Sequence, residues 1–161
     1  MSNKKALVDV IYLLLIAMTA GAVLILGAFV AAVVFHSEMY LTLPLLSRYE
    51  EGKIMGEIFR RFTYWAYFMT AVIAIYEVSR YKVMQIDKIS ILSALGSIGT
   101  LLLFSAVYTP KILEYQTQGE AVMMQNSFES LHKASEIDFK ILLVMLLILF
   151  IRRAYILAVK K

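Results

Sequence analysis

A chain of 161 residues that is 61% hydrophobic and only 17% charged, with a mean hydropathy of +0.75, lies outside the range of soluble globular domains and points to lipid as its solvent. The net charge of +4 does not indicate a nucleic-acid partner, because Lys and Arg stand in small groups beside the apolar runs, as helix anchors do. With no cysteine, disulfides, thiolate metal sites and thiol chemistry are excluded, so a metal would need His, Met, carboxylate or backbone ligands.

The first apolar run, Val10 to Phe35, carries no charge. At about 1.5 Å per residue it is roughly 39 Å long, more than a hydrocarbon core of about 30 Å, so it should tilt or protrude. It also exceeds the roughly 7–15 residues of a signal-peptide core and is expected to stay attached as a span. Small residues four apart (Ala17 with Gly21, Gly27 with Ala31, Ala28 with Ala32) mark a face that another backbone can approach. The second span has a shorter charge-free stretch, Phe62 to Tyr76, so its helix should begin earlier, near Lys53, with Glu57 and Arg61 paired four apart. Phe62, Tyr64, Trp65, Tyr67 and Phe68 resemble half of an interfacial aromatic belt.

The third span runs from Ile89 to Thr109, and Pro110 is expected to end it. Ser93 with Ser97 and Gly96 with Thr100 give it a small-residue face. Only Ile141 to Ile151 of the fourth span is free of charge, but Asn126 followed by Glu129 has the pattern of a helix start, which predicts a much longer helix. The basic tail from Arg152 onward should snorkel at the membrane surface.

These elements predict an all-α integral membrane protein: one domain over residues 1–161, a four-transmembrane-helix bundle with spans at about 8–36, 56–80, 88–110 and 130–155. Nine Lys and Arg in the two ends and the short second connection, against seven on the other side, place both termini in the cytoplasm. Both histidines, His36 and His132, then fall at the outer face at matching depth. On the last helix Glu129, Lys133, Glu136 and Lys140 form a solvated face, while Phe128, Leu131, Ser135, Asp138 and Leu142 lie opposite, toward the bundle. An ionisable Asp138 on an interior face of a span is a functional candidate because its desolvation is costly.

The outer-side polar cluster expected to hold a cofactor is therefore His36, His132, Ser135 and Asp138. For a metal, His36, His132 and Met39 are the candidate ligands, with Met55, Met123 and Met124 on the same side. Thioether with imidazole suits copper(I), and two histidines suit a haem held between helices. Each has a plainer reading: interfacial histidines commonly bond water or a carbonyl, methionines pack, and Asp138 pairs with a neighbouring cation. Glu57, Arg60 and Arg61 form a second polar cluster, read first as headgroup anchors. No P-loop, dinucleotide fingerprint, HExxH or serine-elbow motif is present, which argues against an enzyme.

Several strings carry a family resemblance across most of the chain: Gly27 to Phe35 (GAFVAAVVF), Gly52 to Arg60 (GKIMGEIFR), Pro110-Lys111-Ile112, and Phe128 with Leu131-His132-Lys133-Ala134-Ser135. Together they resemble the bacterial membrane family called domain of unknown function 4149, similar to transmembrane protein 205-like proteins. The family's LHxxS motif falls on Leu131, His132 and Ser135. Where that family has a proline late in its first helix, this chain has Ala32-Val33, which removes an expected kink.

The resemblance implies a four-helix fold and no particular activity. The expected function is a multi-pass protein of the bacterial inner membrane, with the lipid bilayer as its surroundings, whose outward site handles a copper-like cation or a haem-type cofactor. The rival is an accessory or assembly subunit whose helices dock onto a larger membrane complex through its small-residue faces, and the partners expected are a homo-oligomer or such a complex.

Overall fold

The computed structural model describes residues 3–40, 46–82, 87–123 and 125–159, and these are helical apart from short connections, with no strand among them. The first rod consists of α1 (Asn3–Leu24), a π-helical turn (Ile25–Val30) and α2 (Ala31–Val34), followed by a short 3-10 turn, Ser37–Met39. The second is α3, Arg48–Lys82. The third joins α4 (Lys88–Leu102) to α5 (Thr109–Thr117) through another π-helical turn, Leu103–Tyr108, and a short α6 (Glu120–Met123) leads to α7, Asn126–Val159. Expectations that rest on the side chains of Lys82 and Met123, and on Met124, Lys160 and Lys161, fall outside the described residues.

The helix starts follow from local chemistry. Ser47 and Glu50 form a capping box before α3. The Ser47 amide donates to Glu50 Oε2 at 2.7 Å and the Glu50 amide to Ser47 Oγ at 3.3 Å, so the helix begins at Arg48, ahead of the expected start near Lys53. Asp87 caps α4, its carboxylate accepting from the Ser90 amide at 2.8 Å. Although burial favours its neutral form, Ser90 and the Arg152 guanidinium hold the Asp87 carboxyl down at about 2. At the end of α5, Gly119 takes φ 100°, the left-handed conformation that lets the chain leave a helix.

Pro110 does not end the third span. The helix passes through it to Thr117, 30 residues from Lys88, because the π turn just before it widens the backbone. The Thr109 amide donates five residues back to Phe104, and Pro110 falls in the first turn of α5, where its missing donor costs little.

Three helices are long and apolar enough to cross a membrane: Lys4–Val34, Lys88–Thr117 and Asn126–Val159. With α3 they pack side by side in the cyclic order α1, α3, α4, α7. The core residues recur at steps of three and four, as in Tyr12-Ile16-Ala20-Val23, Phe62-Ala66-Met69-Ile73-Tyr76 and Phe139-Leu142-Leu146-Leu149. That spacing keeps one face of each helix inward along a gently supercoiled bundle.

The third rod contributes small residues to this interior. Ser93, Ser97 and Ser105 are buried, each hydroxyl donating to the carbonyl four residues back in its own helix. α7 lies close enough that a Cβ at Gly96 would stand 2.9 Å from Met145 Sδ, as the small-residue face predicted. Leu7, Leu14, Ile75, Leu92, Leu95, Val144, Leu147 and Ile151 point outward and exposed. An apolar outer surface of that extent calls for lipid around it.

Candidate functional site

At the end of the bundle where α2 stops and α7 starts, His36 and His132 line one cavity of about 430 Å³, walled by α3 residues including Met55, Gly56 and Phe59 and by Ile112 and Gln116 of α5. His36 follows the last turn of α2, and its Nδ1–H donates to the Ala32 carbonyl at 2.9 Å. A carbonyl can only accept, so in the neutral ring Nε2 keeps its lone pair. Fixing one imidazole nitrogen in this way is how proteins orient a ligating histidine.

His132 is held differently. Its Nε2 lies 3.2 Å from Glu136 Oε1, while its ring stacks on Phe128, tilted by 8°, and meets the edge of Phe35. Its free nitrogen is therefore Nδ1.

Side-chain donors, three of them aimed at backbone carbonyls, tie the surrounding segments together. Arg48 donates to the Phe35 carbonyl at 2.7 Å, and the Ser37 hydroxyl donates to Glu51 at 2.5 Å. The Tyr49 hydroxyl donates to the Gln116 carbonyl at 2.8 Å, and the Gln116 amide nitrogen to the Gly52 carbonyl at 2.7 Å. Gly56 leaves room for this amide, because a Cβ there would come within 2.4 Å of Gln116 Oε1 and the amide would have to move.

A second cavity of about 350 Å³ adjoins the first, sharing Phe35, Phe59, His132 and Glu136, and runs toward the middle of the bundle between Val23–Ala31 and Phe139–Leu143. Ser135 lines it, with its hydroxyl donated to the His132 carbonyl at 2.7 Å.

The other predicted residues lie elsewhere. Asp138 is 5% exposed, lines neither cavity, and its buried Oδ2 accepts no hydrogen bond. Met39 is 70% exposed and is in neither wall. Arg60 and Arg61 both close on Glu57, at 2.7 and 2.9 Å, as an exposed fan on α3 away from both cavities. Among the described residues no three His, Asp or Glu side chains converge as a metal-ion set. The exposed pairs Glu129–Lys133 and Glu136–Lys140 form as expected on α7, at 2.6 and 4.0 Å.

The sequence reading passed over the most heavily charged interior, at the opposite end. Tyr12 donates to Glu77 at 2.8 Å and Tyr76 to Asp9 at 2.8 Å, a reciprocal exchange between α1 and α3 with the two rings stacked 3.5 Å apart. Arg80 pairs with Asp9, and Arg153 of α7 with Glu77. Arg153 is only 2% exposed, so it does not snorkel as the basic tail was expected to, and Arg152 beside it is drawn to Asp87. Carboxylates and guanidiniums interrupting separate apolar runs at matching depth were the available signal.

All-helical rods with apolar outer surfaces, three of them long and apolar enough to cross a bilayer, define a helical-bundle membrane protein. The family model described as Domain of unknown function (DUF4149) matches residues 14–121, about two thirds of the chain, and the chain belongs to that family. No curated protein and no solved structure matches it.

Proposed function

We propose that this is a multi-pass protein of the bacterial inner membrane that crosses it four times with both termini in the cytoplasm, and that the outward end of its bundle holds a small ligand without transforming it. α3 supplies the fourth crossing. It is as long as the other rods, presents Tyr67, Phe68 and Ile75 outward, and has its interior charges Glu77 and Arg80 paired rather than bare. Compartment-reporting tags on the two ends should both read cytoplasmic, and opposite readings would overturn the topology.

The observation that carries the ligand reading is that both histidines of the chain line one cavity, with the His36 ring oriented so that Nε2 is available. Of the cofactors that paired imidazoles serve, the aromatic and aliphatic walls favour a group with an apolar body, of the haem type, over a bare copper-like cation. Protein purified in mild detergent without chelator should carry an organic molecule near one per chain, visible as a Soret band if it is haem, and lose it in His36→Ala. Absence of a Soret band, of stoichiometric metal and of any co-purifying organic molecule refutes this reading.

A second reading, an accessory subunit of a larger complex, draws on two glycines. A Cβ at Gly21 or Gly99 would meet nothing within 4 Å, so these faces are open to another helix. Native electrophoresis after mild extraction distinguishes the two, because a free monomer excludes docking.

A further inference from the structure

We propose that the two joined cavities form one binding crevice for a lipid-dissolved amphiphile, with an uncharged polar head beside His36 and His132 and an apolar chain lying between the first rod and α7. This inference rests on the reading that the outward cavity holds an organic ligand with an apolar body, and takes that ligand to be a chain-bearing amphiphile in place of a haem.

Three observations support it. First, the rods part where a chain would enter. α1 packs along α7, whereas the π turn meets α7 at the Phe139 ring beside Gly27, and a cavity opens between Val23–Ala31 and Phe139–Leu143. The gap is therefore on the flank of the bundle, among side chains such as Ile25, Phe29 and Val33 that are exposed to lipid.

Second, the crevice is largely apolar with its polar groups at definite places. His36, Arg48 and Gln116 stand among Met55, Phe59 and Ile112 in its outer part, His132 and Glu136 line both parts where they join, and Val23, Leu24, Phe104 and Leu143 line the inner part with Ser135 and Lys140. From Phe35 to Leu24 the helical rise gives a length of about 16 Å, room for a chain rather than for a compact solute.

Third, the ionic groups of the lining cancel, Arg48 and Lys140 against Glu120 and Glu136. A lining without net charge gives no advantage to an ionic head, which would also lose hydration on entry. An uncharged head that can hydrogen-bond loses less and finds the His36 lone pair.

Photo-crosslinking tests the proposal. The full chain in phosphatidylcholine nanodiscs is irradiated with three probes: a long-chain alcohol carrying a diazirine in its tail, the matching carboxylate, and a short alcohol with the same diazirine. The long-chain alcohol is expected to label peptides holding Val23–Ala31 and Phe139–Leu143 at least about tenfold above outward-facing peptides around Leu92, with the other two probes weaker. Ala28→Phe or Ala31→Leu, which fill the groove, should suppress this labelling, and Ala17→Phe, outside both cavities on the same rod, should not.

Labelling spread evenly over lipid-facing peptides, or indifferent to both groove-filling variants, overturns the amphiphile. If a Soret band or bound metal persists in that case, the cavity reading stands and only this inference fails. If groove labelling is selective but indifferent to His36→Ala and to the probe's head group, the histidine-lined cavity is not the head site, and the proposal fails there.

Discussion

Removing the carboxylate of Glu77 is the perturbation that most directly tests how the helices are clamped together. In Glu77→Leu the Arg153 guanidinium, 2% exposed, loses the carboxylate that its Nε donates to at 2.9 Å, and the Tyr12 hydroxyl loses its acceptor. Breaking one side of a buried ion pair costs about 3–5 kcal/mol, and an orphaned buried hydroxyl adds about 1 kcal/mol. The expected loss is therefore about 5 kcal/mol.

Arg153→Leu should cost about 4 kcal/mol for the complementary reason. The double variant, which buries neither charge, should cost about 2 kcal/mol, less than either single variant, so that it falls about 7 kcal/mol short of the summed single losses. Unfolding by SDS in mixed micelles provides the assay, read by circular dichroism and by fluorescence of the single tryptophan. Trp65 is well placed for this, since its indole N–H donates to Thr19 at 3.0 Å across the α1–α3 contact. Single variants that each cost under about 1 kcal/mol and add without coupling would show that the pair is bathed in water, and the account of the clamp would be wrong.

Asp87 gives a pH dependence of definite sign. Its carboxyl is held at about 2, below the unfolded value of about 3.9, so its contribution is complete above about pH 4 and fades as pH falls through about 2. Its side chain is 28% exposed, and solvent screening reduces the effect to about 1 kcal/mol. Acid titration of stability should show this loss in the native chain and not in Asp87→Asn, which keeps a capping side chain, whereas Asp87→Ala should lose a further 1 kcal/mol or so at every pH. Gly56→Ala should displace Gln116 from its bond to Gly52 and cost about 1–3 kcal/mol as an overpacked site, measurable in the same SDS titration. Pro110→Ala should leave the helicity of the third rod unchanged within circular-dichroism error, because that helix already passes through the residue.

What the sequence made legible is what lipid dictates locally. Long apolar runs, a small-residue face on the third rod and the inward side of the last helix all follow from helical period and solvent; of that inward set Ser135, Asp138 and Leu142 are buried, while Phe128 and Leu131 are half-buried. Turn chemistry was legible but misread. The capping box at Ser47 and Glu50 is written in the sequence, yet the low hydropathy of that segment drew attention to Lys53.

Pro110 could not be judged from its own neighbourhood, because whether a proline ends a helix depends on whether the preceding turn can widen, and nothing in Leu103–Tyr108 announces a π turn. The ionic interior shows the deepest limit. Asp9, Glu77 and Arg153 each sit at the margin of a different apolar run, where a charge reads as an anchor in headgroups. Only packing α1, α3 and α7 together reveals that they neutralise one another. The same holds at the end where α2 stops: the sequence sets His36 and His132 at one depth, but whether two rings at one depth face a common cavity depends on helix rotation, fixed by cores such as Tyr12-Ile16-Ala20-Val23. Rotation also explains why Asp138, two turns along α7 from Leu131 and on its inward face, lies against the interior without reaching the cavity that His132 lines.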